Sequence, residues 1–168
     1  LIELQDGAEI AVMELGMNHA GEIRRLIEIA EPDVRVWTNV GTAHLEYFGT
    51  KEAIASAKAE ILERADSSSI LIANADDPLV MGHAARFAGR VVTFGLDREA
   101  DVQAVAVDDL GLAGTRATVR TPAGTVAISS HLPGRAHLQN LLAAVAAGHV
   151  FDVPVEEVAE RLDTVRAV

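Results

Sequence analysis

The stretch ILIANADDPLVMGHAARFAGRVVTF, residues 70–94, holds two short apolar runs on either side of a helical segment. Residues 70–73 and 91–94 are almost wholly apolar, as is typical of strands that are buried on both faces. Pro78 follows an aspartate, a pair that favours the first turn of a helix, and we predict a helix over residues 78–88. A strand, a helix and a second strand in this order indicate a βαβ unit with parallel strands.

The same alternation extends towards the amino terminus. Apolar residues recur at helical spacing in two more segments, and a short apolar run that predicts a strand lies before each of them. These strands are predicted at residues 10–13 and 34–39, and the helices at residues 21–30 and 50–65. The repetition predicts an α/β fold whose mostly parallel sheet is flanked by helices.

The carboxyl-terminal half has a different pattern. Residues 101–130 alternate Val, Ala and Thr around a turn at Pro122-Ala123-Gly124, which predicts a small antiparallel addition to the sheet. Residues 140–150 are rich in alanine and leucine and predict a helix. A second helix is predicted from Pro154, because proline favours the first helical position. Its inward residues are predicted to be Val155, Val158, Ala159 and Leu162.

Composition limits the classes of function. The chain has 168 residues, 49% of them hydrophobic, which is enough for one domain with a substantial core. Its formal net charge of -11 argues against a surface for nucleic acid or anionic membrane. It has no cysteine, so disulfides and thiolate metal sites are excluded. No apolar run is long enough to span a membrane, and a cytoplasmic protein is the simplest interpretation. Because the chain starts with Leu1, we expect it to be an excerpt of a longer protein.

Polar residues follow the first two predicted strands within otherwise apolar sequence. Glu14 ends one strand and Asn39 ends the other, and the segment TNVGTAH then places His44 on a loop. In open parallel sheets, ligands bind beyond the carboxyl ends of the strands, so we expect these residues at one edge. An N-cap or a turn network is the alternative explanation for each of them.

Lys58 lies in the middle of the apolar stripe of its predicted helix. The stripe comprises Ile54, Ala57, Ile61, Leu62 and Ala65. One interpretation is a partly desolvated, nucleophilic amine that reacts with carbon dioxide to give a carbamate. With Glu14 and His44, an anionic carbamate would suit Mg²⁺, which prefers oxygen ligands. The alternative is that Lys58 lies near the exposed end of the helix and extends its amine to water.

The residues also bear on a zinc site and on a nucleotide site. Zinc hydrolysis typically needs about three protein ligands around an open position, and the six histidines form no HExxH pair or similar cluster. For a nucleotide, Asn74 follows the third predicted strand, and Asn140 begins the alanine-rich helix, where an amide can bind the edge of a purine. Capping of the helix by Asn140 is the alternative, and capping by Asp77 explains that residue and the proline after it.

Five segments together resemble the Mur ligases, the ATP-dependent enzymes that add amino acids to the UDP-N-acetylmuramoyl peptide of bacterial cell walls. Three are similar, in order and spacing, to the segments that carry the family's metal-binding glutamate, metal-binding histidine and carbamylated lysine. They are MELGMNHAGEI (13–23), TNVGTAHLEYFGT (38–50) and AKAEI (57–61). NADDP (74–78) and GRAHLQNLLAA (134–144) resemble the nucleotide-side motifs. The first segment is similar to the corresponding segment of the branch that adds D-alanyl-D-alanine.

The resemblance implies the fold of the Mur ligase central domain and gives roles to the matching residues. Glu14, His44 and carbamylated Lys58 would be the catalytic residues and would hold Mg²⁺ near the γ-phosphate of ATP. The other candidates are Asn140, His137 and Asn74 for the nucleotide and Asn18, His19 and Asn39 for the substrate. The implied reaction phosphorylates the carboxylate of UDP-N-acetylmuramoyl tripeptide, and the amine of D-alanyl-D-alanine then attacks the acyl phosphate. The full-length enzyme would be a monomer, without nucleic-acid partners or membrane insertion.

The sequence departs from the family pattern at three points. It contains no GxxxxGK[ST] phosphate loop, and nothing after Val168 resembles the carboxy-terminal domain. Residues 1–168 are therefore expected to be an incomplete central domain, inactive alone, with residues 151–168 as a terminal helix leading to the missing domain. Ala136 stands where the family often has a histidine, next to His137. A folylpolyglutamate synthase relative and a noncatalytic scaffold module are the alternatives.

Overall fold

The computed structural model of the chain describes residues 8–43 and 45–165. Within these ranges, six strands pair in chain order to form one sheet. They are β1 (Val34–Trp37), β2 (Ile70–Asn74), β3 (Arg90–Gly95), β4 (Val102–Asp109), β5 (Thr115–Thr121) and β6 (Gly124–Ser130). Strands β1 to β4 run parallel, whereas β4, β5 and β6 pair antiparallel. The predicted α/β fold is confirmed, and so is the antiparallel addition between residues 101 and 130.

Helices cover both faces of the sheet in the same ranges. They are α1 (Glu22–Ala30), α2 (Leu45–Phe48), α3 (Lys51–Lys58), α4 (Pro78–Ala84), α5 (Arg135–Val150) and α6 (Val155–Thr164). Two 3₁₀ turns, Ala59–Leu62 and Gly111–Ala113, follow α3 and β4. None of the helices in the described part of the chain has both the length and the apolar character that a membrane crossing requires.

The sheet separates two apolar clusters. In β2, Leu71 and Ala73 face one cluster and Ile72 faces the other, and all three are fully buried. The first cluster packs α1, α3 and α4 against β1 and β2, and the second packs α5 and α6 against β3 to β6. Because both faces of β2 are covered, its apolar residues run without alternation, as the sequence predicts.

The prediction of a strand at residues 10–13 is wrong. This segment forms no strand, and Ile10 and Val12 are 52% and 96% exposed. An apolar run becomes a strand where a neighbouring backbone pairs with it and one face is buried. Among the described residues, β1 lies at the end of the sheet and pairs with β2, so no strand adjoins the segment. Apolar composition alone therefore predicted a strand that has no partner among the residues that the structure describes.

Several helix ends differ from their predicted positions. Helix α3 ends at Lys58 and continues as a 3₁₀ turn, and α4 ends four residues before its predicted end. Pro154 is the N-cap of α6 and not its first residue. Helix α5 begins at Arg135, five residues earlier than predicted, directly after Gly134. Asn140 therefore lies in the second turn, which removes capping as the explanation for that residue.

Candidate functional site

The carboxyl ends of β1, β2 and β3 meet at one edge of the sheet, where hydrogen bonds join the loops that follow them. The Val40 amide donates to Asp77 Oδ2 at 2.7 Å, and the Ala75 amide donates to the Phe94 carbonyl oxygen at 2.8 Å. Asp77 also caps α4, because its Oδ1 accepts from two backbone amides of that helix. The capping role predicted for Asp77 is confirmed, and hydrogen bonds connect the loops along this edge.

Asn74 is buried at 2% exposure, and both polar atoms of its side-chain amide form hydrogen bonds at this edge. Its Nδ2 donates to the Thr38 carbonyl oxygen at 2.8 Å, and its Oδ1 accepts from the Asp76 amide at 2.9 Å. These two bonds hold the loop after β1 against the loop after β2. They account for an asparagine at this position, and its contact with a nucleotide stays a prediction.

The segment before α1 carries three of the candidate residues. Glu14, Asn18 and His19 are exposed, whereas Met17 is buried and anchors the segment. The Asn18 and His19 amides donate to Glu22 Oε2 at 2.6 and 3.0 Å. Both hydrogen bonds lower the pKa of the Glu22 carboxyl below its ordinary value, and the bond from Asn18 has the larger effect. The resulting turn presents the Asn18 and His19 side chains to solvent.

The His19 ring lies beside α2. Its centroid is 5.9 Å from that of Tyr47, with the two planes tilted by 58°. Because α2 follows residue 44, this contact brings a candidate substrate residue to the loop after β1, on which Asn39 is exposed. His44 itself lies outside the described residues, and its role as a metal ligand stays a prediction.

Lys58 is the last residue of α3 and is half-buried. On the same helix, Ile54 and Ala57 are buried, which confirms the first part of the predicted apolar stripe. The rest of the stripe lies beyond the end of α3, where Ile61, Leu62 and Ala65 are half-buried, so Lys58 ends the helical stripe and does not lie in its middle. The position at the helix end also fits the alternative in which the amine extends to water. Carbamylation of Lys58 stays a prediction.

Glu60 joins the turn after Lys58 to the start of α1, a role that the sequence pattern does not indicate. Its carboxylate is buried, Oε1 accepts the Gly21 amide at 2.7 Å, and Oε2 accepts the Arg24 amide at 3.1 Å. Gly21 is the N-cap of α1 and has no side chain to offer, so Glu60 supplies the cap from another element. Its negative charge also faces the positive end of the helix dipole. Glu60 therefore fixes the position of the Lys58 turn relative to α1.

The donor types of the predicted ligands fit Mg²⁺, but the segment that carries Glu14 forms no strand, so Glu14 does not follow a strand end as predicted. Glu14 offers an exposed carboxylate, and a carbamate on Lys58 would add anionic oxygens, the ligand type that Mg²⁺ prefers. Among the described residues, which leave out His44, no group of three or more histidine, aspartate or glutamate side chains has the arrangement of a metal site. The set predicted from the sequence therefore depends on His44 and on modification of Lys58.

The Asp76 carboxylate links the loop after β2, the β3–β4 loop and α5 at the same edge of the sheet. Its Oδ2 accepts the Leu96 amide at 2.7 Å, and its Oδ1 accepts the Asp97 and Arg98 amides at 3.0 and 2.9 Å. Gln139 of α5 adds a contact from Nε2 at 3.4 Å. Burial acts to raise the pKa of the Asp76 carboxyl, but these hydrogen bonds outweigh burial and hold the pKa below its ordinary value.

The first turns of α5 carry the other two nucleotide candidates. Asn140 and His137 are both exposed, whereas Leu138 is buried at 2% exposure. Arg135, at the first position of the helix, pairs with Asp97 of the β3–β4 loop. The structure thus leaves Asn140 and His137 accessible to a ligand beside the loop that Asp76 holds, and their contacts with a nucleotide stay predictions.

Known proteins are similar to this chain in both sequence and fold. The family described as the Mur ligase middle domain matches residues 1–148, a range that contains every candidate residue. The UDP-N-acetylmuramoyl-tripeptide–D-alanyl-D-alanine ligase of Bacillus subtilis is 33% identical over 162 residues, which are 96% of this chain and 34% of that protein.

Two solved structures extend the comparison. A crystal structure of MurF from Acinetobacter baumannii matches with a TM-score of 0.92 and 30% identity, covering 99% of this chain and 36% of that one. The MurF ligase of Thermotoga maritima, solved in complex with ADP, matches with a TM-score of 0.77 and 26% identity, covering 90% of this chain and 34% of that one. The chain thus spans about a third of the length of these proteins.

Proposed function

This chain belongs to the Mur ligase middle-domain family, and from that premise we propose that it is the ATP-binding part of a ligase that joins D-alanyl-D-alanine to UDP-N-acetylmuramoyl tripeptide. The observation that carries the proposal is the likeness, over nearly the whole chain, to ligases named for that reaction. The likeness to a ligase solved with ADP supports the nucleotide part of the proposal.

The proposed reaction consists of two transfers. The terminal carboxylate of the tripeptide attacks the γ-phosphorus of ATP, ADP leaves, and an acyl phosphate forms. The amine of D-alanyl-D-alanine then attacks the acyl carbon, inorganic phosphate leaves, and the nitrogen loses a proton as the amide forms. Because anions meet in the first transfer, neutralising and positioning them are the main demands on the protein.

Residues at the edge of the sheet would meet the demand for charge neutralisation. Glu14, His44 and carbamylated Lys58 would hold Mg²⁺, which when bound stabilises negative charge on the phosphate oxygens. Glu60 supports this set, because it ties the turn after Lys58 to the start of α1. A chain with a net charge of -11 has particular need of such a cation when it binds ATP.

Polar side chains, all of them exposed except the buried Asn74, would bind the two substrates. Asn140 would contact adenine, with His137 and Asn74 as further nucleotide residues. On the other side, Asn18, His19 and Asn39 would contact the tripeptide, and the hydrogen bonds to Glu22 hold the turn that presents Asn18 and His19.

The cellular setting is part of the same proposal. We expect a cytoplasmic, monomeric gene product that makes a peptidoglycan precursor and so serves cell-wall growth, cell shape and division. The net charge of -11 supports the expectation that nucleic acid is not a partner.

Activity of the gene product that carries this chain tests the proposal. Wild type and Lys58→Ala are compared in ATP-dependent condensation of UDP-N-acetylmuramoyl tripeptide with D-alanyl-D-alanine, with and without bicarbonate. Lys51→Ala is the matched control, because Lys51 is an exposed lysine at the other end of the same helix. We expect Lys58→Ala to lose roughly 100-fold in activity, as when a metal site loses a supporting group, and a small carboxylate to restore part of it. Lys51→Ala should keep wild-type activity.

Each other outcome removes a defined part of the proposal. A wild type that is inactive with every acceptor and amine tried refutes the ligase activity and favours the scaffold module. Activity with glutamate and a folate, in place of the muramoyl substrate, favours the folylpolyglutamate synthase alternative. If Lys58→Ala retains full activity in an active enzyme, the carbamate role is wrong and the ligase activity stands.

A further inference from the structure

We infer that Asp76 is a positioning residue for the nucleotide, because it holds the β3–β4 loop and the first turns of α5 together as one wall of the nucleotide site. The inference rests on the proposed function, in which Asn140 of α5 contacts adenine. Asp76 acts through the backbone and through Gln139, and it does not touch the reacting atoms.

The conformation of the β3–β4 loop is set by this carboxylate. Three consecutive amides, those of residues 96–98, converge on the two oxygens of Asp76 at 2.7 to 3.0 Å. Hydrogen bonds to an ionised acceptor are stronger than neutral ones, so the loop is held closely. Gly95 permits the approach, since a Cβ at that position would lie 3.1 Å from Asp76 Oδ1. Loss of the charge would therefore release residues 96–98.

The start of α5 depends on contacts with other elements. Its N-cap, Gly134, provides no side-chain cap, so the free amides of the first turn receive no capping bond from that residue. Gln139 reaches Asp76, and Arg135 pairs with Asp97 of the loop that Asp76 organises. Gln139 directly precedes Asn140 in the chain, so movement of this turn would displace the candidate adenine contact.

A cavity of about 250 Å³ lies between these elements. Its lining includes Leu96 of the loop and both Arg135 and Leu138 of α5. The Leu96 amide is one of the donors to Asp76, so the carboxylate fixes the loop side of the cavity directly and the α5 side through Gln139, whereas β4 and β5 line the rest.

Steady-state kinetics of the gene product with Asp76→Asn test the inference. We expect the KM for ATP to rise roughly tenfold, which corresponds to about 1.4 kcal/mol, whereas the KM for UDP-N-acetylmuramoyl tripeptide stays within about twofold. Asp101→Asn is the matched control, because Asp101 ends the same loop but accepts from the Thr93 amide and hydroxyl at 2.8 and 2.7 Å. It should leave both KM values unchanged, and direct titration with ADP should give the same ranking.

A second variant covers the case in which Asp76→Asn does not fold. Gln139→Glu places a like charge beside Asp76 from the surface of α5 and should also raise the KM for ATP selectively. If either folded variant leaves the KM for ATP unchanged in an active enzyme, the inference is overturned while the ligase function stands. Equal rises in both KM values would show a general structural role and would also overturn it. A wild type that binds no ATP or ADP ends the proposed function itself.

Discussion

Replacing Glu60 by glutamine should destabilise the chain far more than the same change at Glu63, although both carboxylates bind Arg24. Glu60 is buried and accepts two backbone amides at the start of α1. Glu63 pairs with the Arg24 guanidinium at 2.7 and 2.8 Å and its side chain is 39% exposed, whereas the same guanidinium lies 3.7 Å from Glu60 Oε1. Since each change removes one negative charge near the same helix end, the comparison isolates the buried cap.

The expected magnitude follows from these bonds. A glutamine side chain has one acceptor oxygen, so Glu60→Gln loses one of the two bonds from backbone amides. That loss and the weaker interaction with the helix dipole together cost about 2–4 kcal/mol, from about 1.5–3 for a charged hydrogen bond and about 0.3–1 for the dipole. An exposed ion pair contributes about 0–1 kcal/mol, which sets the expectation for Glu63→Gln.

Urea denaturation of the 168-residue chain measures both effects through the fluorescence of its one tryptophan, Trp37, which is buried. With a slope of about 2 kcal/mol/M, Glu60→Gln should lower the midpoint by about 1–2 M and Glu63→Gln by less than about 0.5 M. Salt at about 1 M should erase the Glu63 effect and leave most of the Glu60 effect, because buried charges are screened less. Equal midpoints for the two variants would refute the assignment of Glu60 as the cap of α1.

Two further predictions concern stability. A methyl group at Gly89 would lie 1.9 Å from the Ser69 carbonyl oxygen, so Gly89→Ala should lower the free energy of unfolding by roughly 1–3 kcal/mol. Gly82→Ala, in α4 with open space around it, should raise that free energy by about 0.5–1 kcal/mol, and thermal unfolding of both variants checks the opposite signs. The pKa of Asp76 is lowered from 3.8 in the folded chain. The ionised carboxylate therefore stabilises the fold fully at a pH above 3.8, and this stabilisation is lost as the pH falls through the lower folded-state pKa. Asp76→Asn should therefore be less stable than wild type at neutral pH and lose less stability below about pH 4, as urea midpoints across an acid titration would show.

The parallel half of the fold was predictable because local pattern and tertiary environment agree there. The apolar run 70–73 is buried on both faces, as its composition requires, and Asp77 before Pro78 caps α4 as the pair predicts. The start of α5 was missed because Gly134 offers no capping side chain that would mark it in the sequence. The segment 10–13 shows the complementary limit, since a strand is a property of a pair of segments and composition describes only one of them.

The two carboxylates that organise the site were missed because their partners are distant in the chain. Glu60 binds the Gly21 amide 39 residues earlier, and no local pattern distinguishes a buried glutamate from a solvated one. The helical wheel also places Glu60 outside the apolar stripe, whereas the turn that holds it is a 3₁₀ helix with about 3.0 residues per turn. Asp76 did leave one signal in the sequence. Asp77 alone is enough to cap α4, so the aspartate directly before it has no local role. The segments that resemble the Mur ligases, in contrast, were identifiable because each is continuous in sequence.

The strand order has a consequence for how the sheet can be assembled. Among the described strands, β2 to β5 each pair with the strand before and the strand after in the chain, and β1 and β6 each pair with their one neighbour in the chain. A ribosome delivers about 5–20 residues per second, which is slow compared with the microseconds in which an antiparallel hairpin such as β5–β6 forms. Every newly emerged strand from β2 onward therefore finds its neighbour already outside the ribosome, and no gap must be kept open for a strand not yet synthesised. Because strands are added on one side only, the advancing edge at any moment is that of the newest strand, and it is this edge that new strands leave exposed to other nascent chains.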